Sequence, residues 1–312
     1  MKEKIQSTET APESSGVLLV DKPSGLTSHD VVNRVRRAFG MRRVGHTGTL
    51  DPMATGLLVV LVGRAAKAAE YIVCHRKRYE AVLRLGLTTD TEDVTGQTLT
   101  EHAGALPTSE RVEAACGHFC GEIMQVPPMY SALKVGGRKL IDIARAGGEV
   151  ERQPRPITIY GLDCEPTGAP SDYRLSVDCS AGTYIRTLCA DIGAELGCGG
   201  VMAGLRRVSV GNFDVSDALS PVAFDSMTRA ELEARLLPTE TLFADCPAVV
   251  LPPFFERLCR SGCEIYQRKL GTALPLGTRV RLCAADAHFF ALGEVADYPD
   301  GTAVKAIKLF EV

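Results

Sequence analysis

No stretch of this 312-residue chain approaches the roughly 20 consecutive apolar residues that a membrane-spanning helix needs. Its composition, 45% hydrophobic and 23% charged, is that of an ordinary soluble globular protein. The opening MKEKIQSTETAPESSG carries two lysines with no apolar run behind them, so neither a secretory signal nor an anchor is written there. Residues 1-15 read as a disordered tail. Nucleotide signatures are missing as well: there is no G-x4-G-K-[ST] and no G-x-G-x-x-G following a strand. The absence of G-x-S-x-G and of H-E-x-x-H argues against acyl-transfer hydrolases and zinc proteases. What remains is chemistry on a bound substrate without a cofactor.

The 11 cysteines are odd in number and scattered without tight pairing, which fits a reducing compartment, hence the cytoplasm, rather than a disulfide framework. Two C-x3-C pairs, Cys116 with Cys120 and Cys259 with Cys263, lie far apart and bring no neighbouring ligands, so no metal is expected. A net charge of −3 argues against blanket affinity for nucleic acid, yet the charge is polarised. Arg34, Arg36, Arg37, Arg42 and Arg43 fall between Val31 and Leu50 without an acidic residue among them. Arg64, Lys67, Arg76, Lys77 and Arg78 follow, opposed only by Glu70, and make a candidate phosphate-binding face. Carboxylates gather instead between Asp217 and Asp245.

The length predicts two units of unequal size. Gly16 to Asp21 reads as a strand closed by Lys22-Pro-Ser-Gly25, then a helix capped by Thr27 or Ser28, with Val31, Val32, Val35 and Phe39 at helical spacing. Residues 41-56, with three glycines and a proline, predict a loop, and Leu57 to Val62 a buried strand. Lys77 to Leu87 alternates as a half-buried strand that begins near Tyr79. Glu110 to Cys116 predicts a helix and Gly121 to Val126 a strand. The glycine-rich, charged residues after Pro127-Pro128 suggest a mobile RNA-gripping insertion over about 126-153. Ile157 to Asp163 and Tyr173 to Cys179 predict paired strands, and Tyr184 to Leu196 a helix with Arg186 in its first turn. No regular βαβ alternation appears. The expected fold is therefore α+β, a mixed and largely antiparallel sheet with packed helices over residues 16-245. Residues 246-312 offer a short helix and several short strands, the pattern of a small β-barrel.

The segment G-H-T-G-T-L-D-P-M-A-T-G is the one whose residue types look expensive for structure alone. Glycines 45, 48 and 56 permit close backbone approach or positive φ, and Pro52 stiffens the residue after Asp51, so the loop can hold one carboxylate rigidly. It closely resembles the catalytic motif H-[TA]-G-[TA]-L-D-P-x-A-[TS]-G of the TruB family of tRNA pseudouridine synthases. GVLLVDKPSGLTS from Gly16, KRYEAVLRLGLTTDTEDVTG from Lys77, VPPMYSA from Val126, GTYIRT from Gly182 and Leu205-Arg-Arg207 resemble further family motifs in order. The resemblance covers most of residues 16-212, and residues 248-312 look more loosely like the family's PUA RNA-binding module.

That resemblance implies isomerisation of uridine 55 in the T-loop of tRNA to pseudouridine, with no cofactor, by a monomer bound to the T-arm. It implies that Asp51 is the catalytic nucleophile and that Arg186 pairs with it and favours its ionised form. It places Tyr79 against the extruded base, Tyr184 and Leu205 around the uracil, and His46 on the T-loop. Lys22 is expected to support the catalytic loop. Two other readings remain: an RNA-binding or RNA-folding protein with a silent catalytic loop, and a glycosidase. The latter needs two carboxylates flanking the bond, whereas Asp90, Glu92 and Asp93 match a structural turn.

Overall fold

The computed structural model describes residues 14–72 and 76–311. Most of the expected N-terminal tail, residues 1–13, lies outside them. Ser14 and Ser15 are placed: the Ser15 hydroxyl accepts from Ala65 N at 3.1 Å, and Ser14 bonds Glu233.

The N-terminal unit begins with β1 (Gly16–Lys22), α1 (Ser28–Ala38), β2 (Val44–His46), β3 (Thr55–Val62) and β4 (Lys77–Leu85). It continues through α2 (Ser109–His118), β5 (Gly121–Gln125), β6 (Arg155–Pro166), β7 (Asp172–Cys179), α3 (Ile185–Glu195) and β8 (Gly200–Val210). The sheet order is β1-β3-β8-β4-β7-β6-β5, with β2 on β3. Every pair on this path is antiparallel except β3 with β8, which run parallel. The fold is thus α+β with a mixed, largely antiparallel sheet, as expected. The loop expected over residues 41-56 does contain a strand, β2, because Val44 can bury beside Val62 while its backbone pairs with β3, and β3 itself begins at Thr55 within that range.

Why two strands read as unbroken apolar runs becomes clear from their two faces. On β1, Val17 and Leu19 enter one core and Leu18 and Val20 another. On β3, Leu57, Val59 and Leu61 join the first, and Leu58, Val60 and Val62 the second. A strand buried on both sides needs no polar alternation. The second core is covered by Val31, Val32, Val35 and Phe39, the apolar stripe of α1 and its C-cap. Thr27, and not Ser28, caps that helix, in a reciprocal capping box with Asp30. In contrast β4 alternates, with Tyr79, Ala81, Leu83 and Leu85 buried under Ile185, Leu188 and Ile192 of α3. That helix lies close to the sheet because Gly193 has no side chain: a Cβ there would stand 2.1 Å from Gly200 N.

Within the expected insertion, Lys134–Val135 and Arg138–Lys139 form a small hairpin that leads into a helix at Leu140–Arg145. The C-terminal unit is a curled five-stranded sheet of β9 (Ala248–Val250), β10 (Ile265–Tyr266), β11 (Arg279–Cys283), β12 (Phe289–Tyr298) and β13 (Gly301–Leu309) in the order β9-β11-β12-β13-β10. It shares a core with the main sheet, where Phe243, Phe289 and Phe310 pack with ring centroids 5.5–6.0 Å apart against the same cluster as β1 and β3.

Candidate active site

Asp51 follows a loop fastened at several points. The buried Ser28 hydroxyl accepts from Leu50 N at 2.8 Å and donates to Leu50 O at 3.1 Å. Arg207, only 2% exposed, donates through Nε to Leu57 O at 2.7 Å and through its terminal nitrogens to Gly48 O at 3.1 Å and Thr49 O at 3.5 Å. Lys22 has no exposed surface and donates to Leu26 O at 2.7 Å, Pro23 O at 3.0 Å and Pro52 O at 3.2 Å. Gly25 N adds a second bond to Pro52 O at 2.9 Å. A buried cation is tolerated where it satisfies carbonyls that would otherwise lack donors. The loop leaves through Gly56, whose φ is +99° and whose Cβ, if it had one, would lie 2.2 Å from Arg207 O.

Across from this loop stands the first turn of α3. Arg186 is 5% exposed, and its guanidinium is fixed by Thr91 O at 3.0 Å and Tyr130 O at 2.8 Å. Its Nε is left to meet Asp51 Oδ2 at 3.0 Å, with Asp93 Oδ2 at 4.0 Å from Nη1. Asp93 is itself held by Thr91 Oγ1 and by the amide and hydroxyl of Thr95. The Asp51 side chain keeps 35% of its exposure, so the carboxylate faces the cleft while its partner is closed off from water. Burial raises the Asp51 pKa above that of an ordinary aspartate; Arg186 opposes the shift, Asp93 adds to it and Lys22 counters it. The arginine therefore limits a penalty that burial imposes, and does not drive the carboxyl below its usual range.

A cleft of about 450 Å³ lies over this ion pair, and Asp51, Tyr79, Tyr184, Arg186 and Leu205 all line it. That is ample for one extruded nucleoside base. Tyr79 on β4 is paired in register with Arg207 on β8, and Ala81 with Leu205, which sets the tyrosine and the leucine beside each other. Burial pushes the Tyr79 phenol pKa up, with Arg207 opposing. Tyr184 is the N-cap residue of α3, and the buried Gln125 clamps its backbone, accepting from Tyr184 N at 2.8 Å and donating to Tyr184 O at 3.1 Å. His46 is not among the lining residues. It sits on β2, and its Nδ1 accepts from Gly48 N at 3.2 Å. Burial and Arg207 lower its pKa, consistent with a neutral ring. A larger cavity of about 690 Å³, bordered by Leu18, Leu219 and Leu237, contains none of the candidate residues.

Sequence reasoning gave no role to Gln125, to Arg207 or to the carbonyls of Thr91 and Tyr130. The carbonyls carry no side-chain signature. Arg207 had a faint one, because Arg206 and Arg207 are adjacent on a strand and must point to opposite faces. Arg206 faces Asp21, with bonds of 3.1 and 2.8 Å, which leaves Arg207 inward. Among the described residues no group of three or more His, Cys, Asp or Glu could hold a metal ion.

Comparison with known proteins adds an independent line. The family model described as "TruB family pseudouridylate synthase (N terminal domain)" matches residues 36–185, and "tRNA pseudouridylate synthase B C-terminal domain" matches residues 186–244. A relative from Sodalis glossinidius named "tRNA pseudouridine synthase B" is 43% identical over 90% of this chain and 91% of its own length. One of the same name from Clostridium kluyveri is 40% identical over 95% and 99%. Among solved structures, a chain of "Crystal Structure of a Cbf5-Nop10-Gar1 Complex" aligns over 95% of this chain with a TM-score of 0.73 and 24% identity, a likeness of fold.

Proposed function

The chain belongs to the TruB family of pseudouridylate synthases, and from that premise we propose that it isomerises uridine 55 in the T-loop of tRNA to pseudouridine. The observation that carries the reading is the Asp51–Arg186 pair at 3.0 Å in a cleft also lined by Tyr79, Tyr184 and Leu205. The N1–C1′ bond of the nucleoside breaks, the uracil turns, and C5 bonds to C1′; C5 gives up its hydrogen and N1 gains one, so no electron or group donor is required. Asp51 acts as the nucleophile, and Arg186 keeps it ionised against the cost of burial. Tyr79 stacks on a base taken out of its own stack, and the apolar walls exclude water while the base is detached. His46, outside the cleft, serves the T-loop around the target nucleotide.

Extruding a base costs about a few kcal/mol, recovered from stacking and phosphate contacts over the rest of the RNA. The arginines from Arg34 to Arg43, the 126-153 insertion and the C-terminal half-barrel, taken as a PUA-like module, are the surfaces for those contacts. The protein works as a monomer in the cytoplasm. The test is release of tritium from C5 of uridine in an unmodified tRNA transcript by the native chain and by Asp51→Asn. About one equivalent per tRNA from the native chain alone supports the synthase. Tight binding with no release favours an RNA-folding protein.

A further inference from the structure

Among the described residues only two buried side-chain polar atoms lack a hydrogen-bond partner, Arg36 Nε and Ser131 Oγ. Arg36 satisfies its other nitrogens on Asn33 and Val44 O. Ser131 has no such compensation, and it lines the catalytic cleft. Its backbone is fixed on both sides. Ser131 N donates to Met129 O at 2.9 Å, Ile141 N donates to Ser131 O at 3.0 Å, and the preceding carbonyl, Tyr130 O, accepts from Arg186 at 2.8 Å. The serine is therefore carried by the same residue that orients the cation beside Asp51, and it is 5% exposed.

A buried hydroxyl without a partner weakens a fold, and a site that retains one commonly does so for a ligand. Around it Tyr79, Tyr184, Ile185 and Leu205 supply surface and Arg186 and Arg207 are committed to carbonyls; Thr49 and Lys139, which also line the cleft, are exposed to water, whereas the Ser131 hydroxyl is buried and unpartnered. Uracil brings a polar edge of two carbonyls and an N–H, and negative charge spreads onto its carbonyl oxygens once N1 is cleaved. A serine hydroxyl can turn among three χ1 wells to meet such an oxygen. Resting on the reading above, we propose that Ser131 is a catalytic residue that donates its hydroxyl hydrogen bond to a carbonyl oxygen of the extruded uracil. It holds the base while it is detached and favours uracil over a base with a donor at that position.

The test uses the full chain with tRNA transcripts tritiated at C5 of the target uridine, comparing native protein with Ser131→Ala in single-turnover rate, tRNA affinity and thermal stability. The expected result is a rate lower by about tenfold to a hundredfold, affinity within about twofold, and a melting temperature unchanged or raised, because an unpartnered hydroxyl has been removed. Transcripts carrying 2-thiouridine or 4-thiouridine at the target supply the second arm. A thiocarbonyl is a weak acceptor, so the Ser131→Ala penalty should nearly vanish on one of the two. A native rate in Ser131→Ala, an equal penalty on both thio-substrates, or a loss of rate matched by a fall in melting temperature would each overturn the proposal. Silence from the native protein itself removes the synthase reading and the proposal with it, an outcome distinct from failure of the variant alone.

Discussion

At the scale of single residues, the site rests on the balance around Asp51. Its folded pKa is raised, chiefly by burial, so the carboxyl ionises at a higher pH than a free aspartate. Two consequences have opposite signs. If Asp51 is the nucleophile, as proposed, the ionised form is needed, so activity should fall as pH drops through the raised value, and Arg186→Gln, which removes the opposing cation, should move that acid limb to still higher pH. A pH–rate profile of single-turnover tritium release checks this; an unmoved limb would detach Arg186 from Asp51. For stability, a raised carboxyl pKa means that the folded state binds its proton more tightly than the unfolded one. The contribution is present below the unfolded pKa and is lost as pH rises through the folded value. At neutral pH ionised Asp51 is then a net cost, and Asp51→Asn should melt at the same or a higher temperature while losing at least about 10³-fold in activity. Asn keeps an oxygen for Arg186 Nε, so the arginine is not abandoned. A variant that melts several degrees lower would mean that the ion pair holds the fold together.

At the scale of elements, the Asp51 loop is held between the turn after β1 and the inward arginine of β8. Lys22 is the more testable anchor, because burial lowers its pKa to about 8. Charged, it has three hydrogens for the three carbonyls of Pro23, Leu26 and Pro52; neutral, it has two and presents a lone pair to the third. Activity should therefore decline above about pH 8, and Lys22→Arg, which stays charged, should flatten that alkaline limb. Stability moves the other way. The folded pKa lies below the unfolded one, so the unfolded chain holds the extra proton between about 8 and 10.5 and this group's contribution rises with pH there. A parallel fall in activity and melting temperature would point to general unfolding instead. These anchors also mark where the sequence was legible. The runs GVLLV and LLVVLV announced buried strands, the 79-81-83-85 alternation announced a one-sided strand, and Thr27-Ser28 ahead of the valine spacing announced a helix start, though not which of the two caps it. All three depend on neighbours within a few positions. The parts that were not legible depend on contacts across more than fifty residues. Arg186 is oriented by two backbone carbonyls, and Gln125 reads the backbone of Tyr184 from a sheet edge. The motif resemblance brought Asp51, Tyr79, Tyr184, Arg186 and Leu205 forward as site residues, and they share one cleft. It brought His46 forward equally, and that residue lies outside it.

For the whole molecule, charge and architecture must be weighed together. The net charge of −3 gives no general attraction to RNA, so affinity has to come from where the cations stand. Arg42 and Arg43 are both exposed, immediately ahead of β2 and the catalytic loop. The shared aromatic core of Phe243, Phe289 and Phe310 packs the C-terminal half-barrel against the face of β1 and β3, so the two units share one core and are not modules on a free tether. Long-range attraction to phosphates is screened over about 8 Å at physiological salt. A phosphate-binding role for these arginines therefore requires direct contact, and each such contact would release counterions on binding. Arg42→Ala with Arg43→Ala should weaken tRNA binding at low salt and reduce the slope of log affinity against log salt by about two, roughly one per lost phosphate contact. Filter binding or fluorescence titration across a salt series measures this. The intrinsic single-turnover rate at saturating protein should stay near native, since neither residue lines the cleft. An unchanged salt slope would move the phosphate-binding face away from this cluster, to the insertion or the half-barrel.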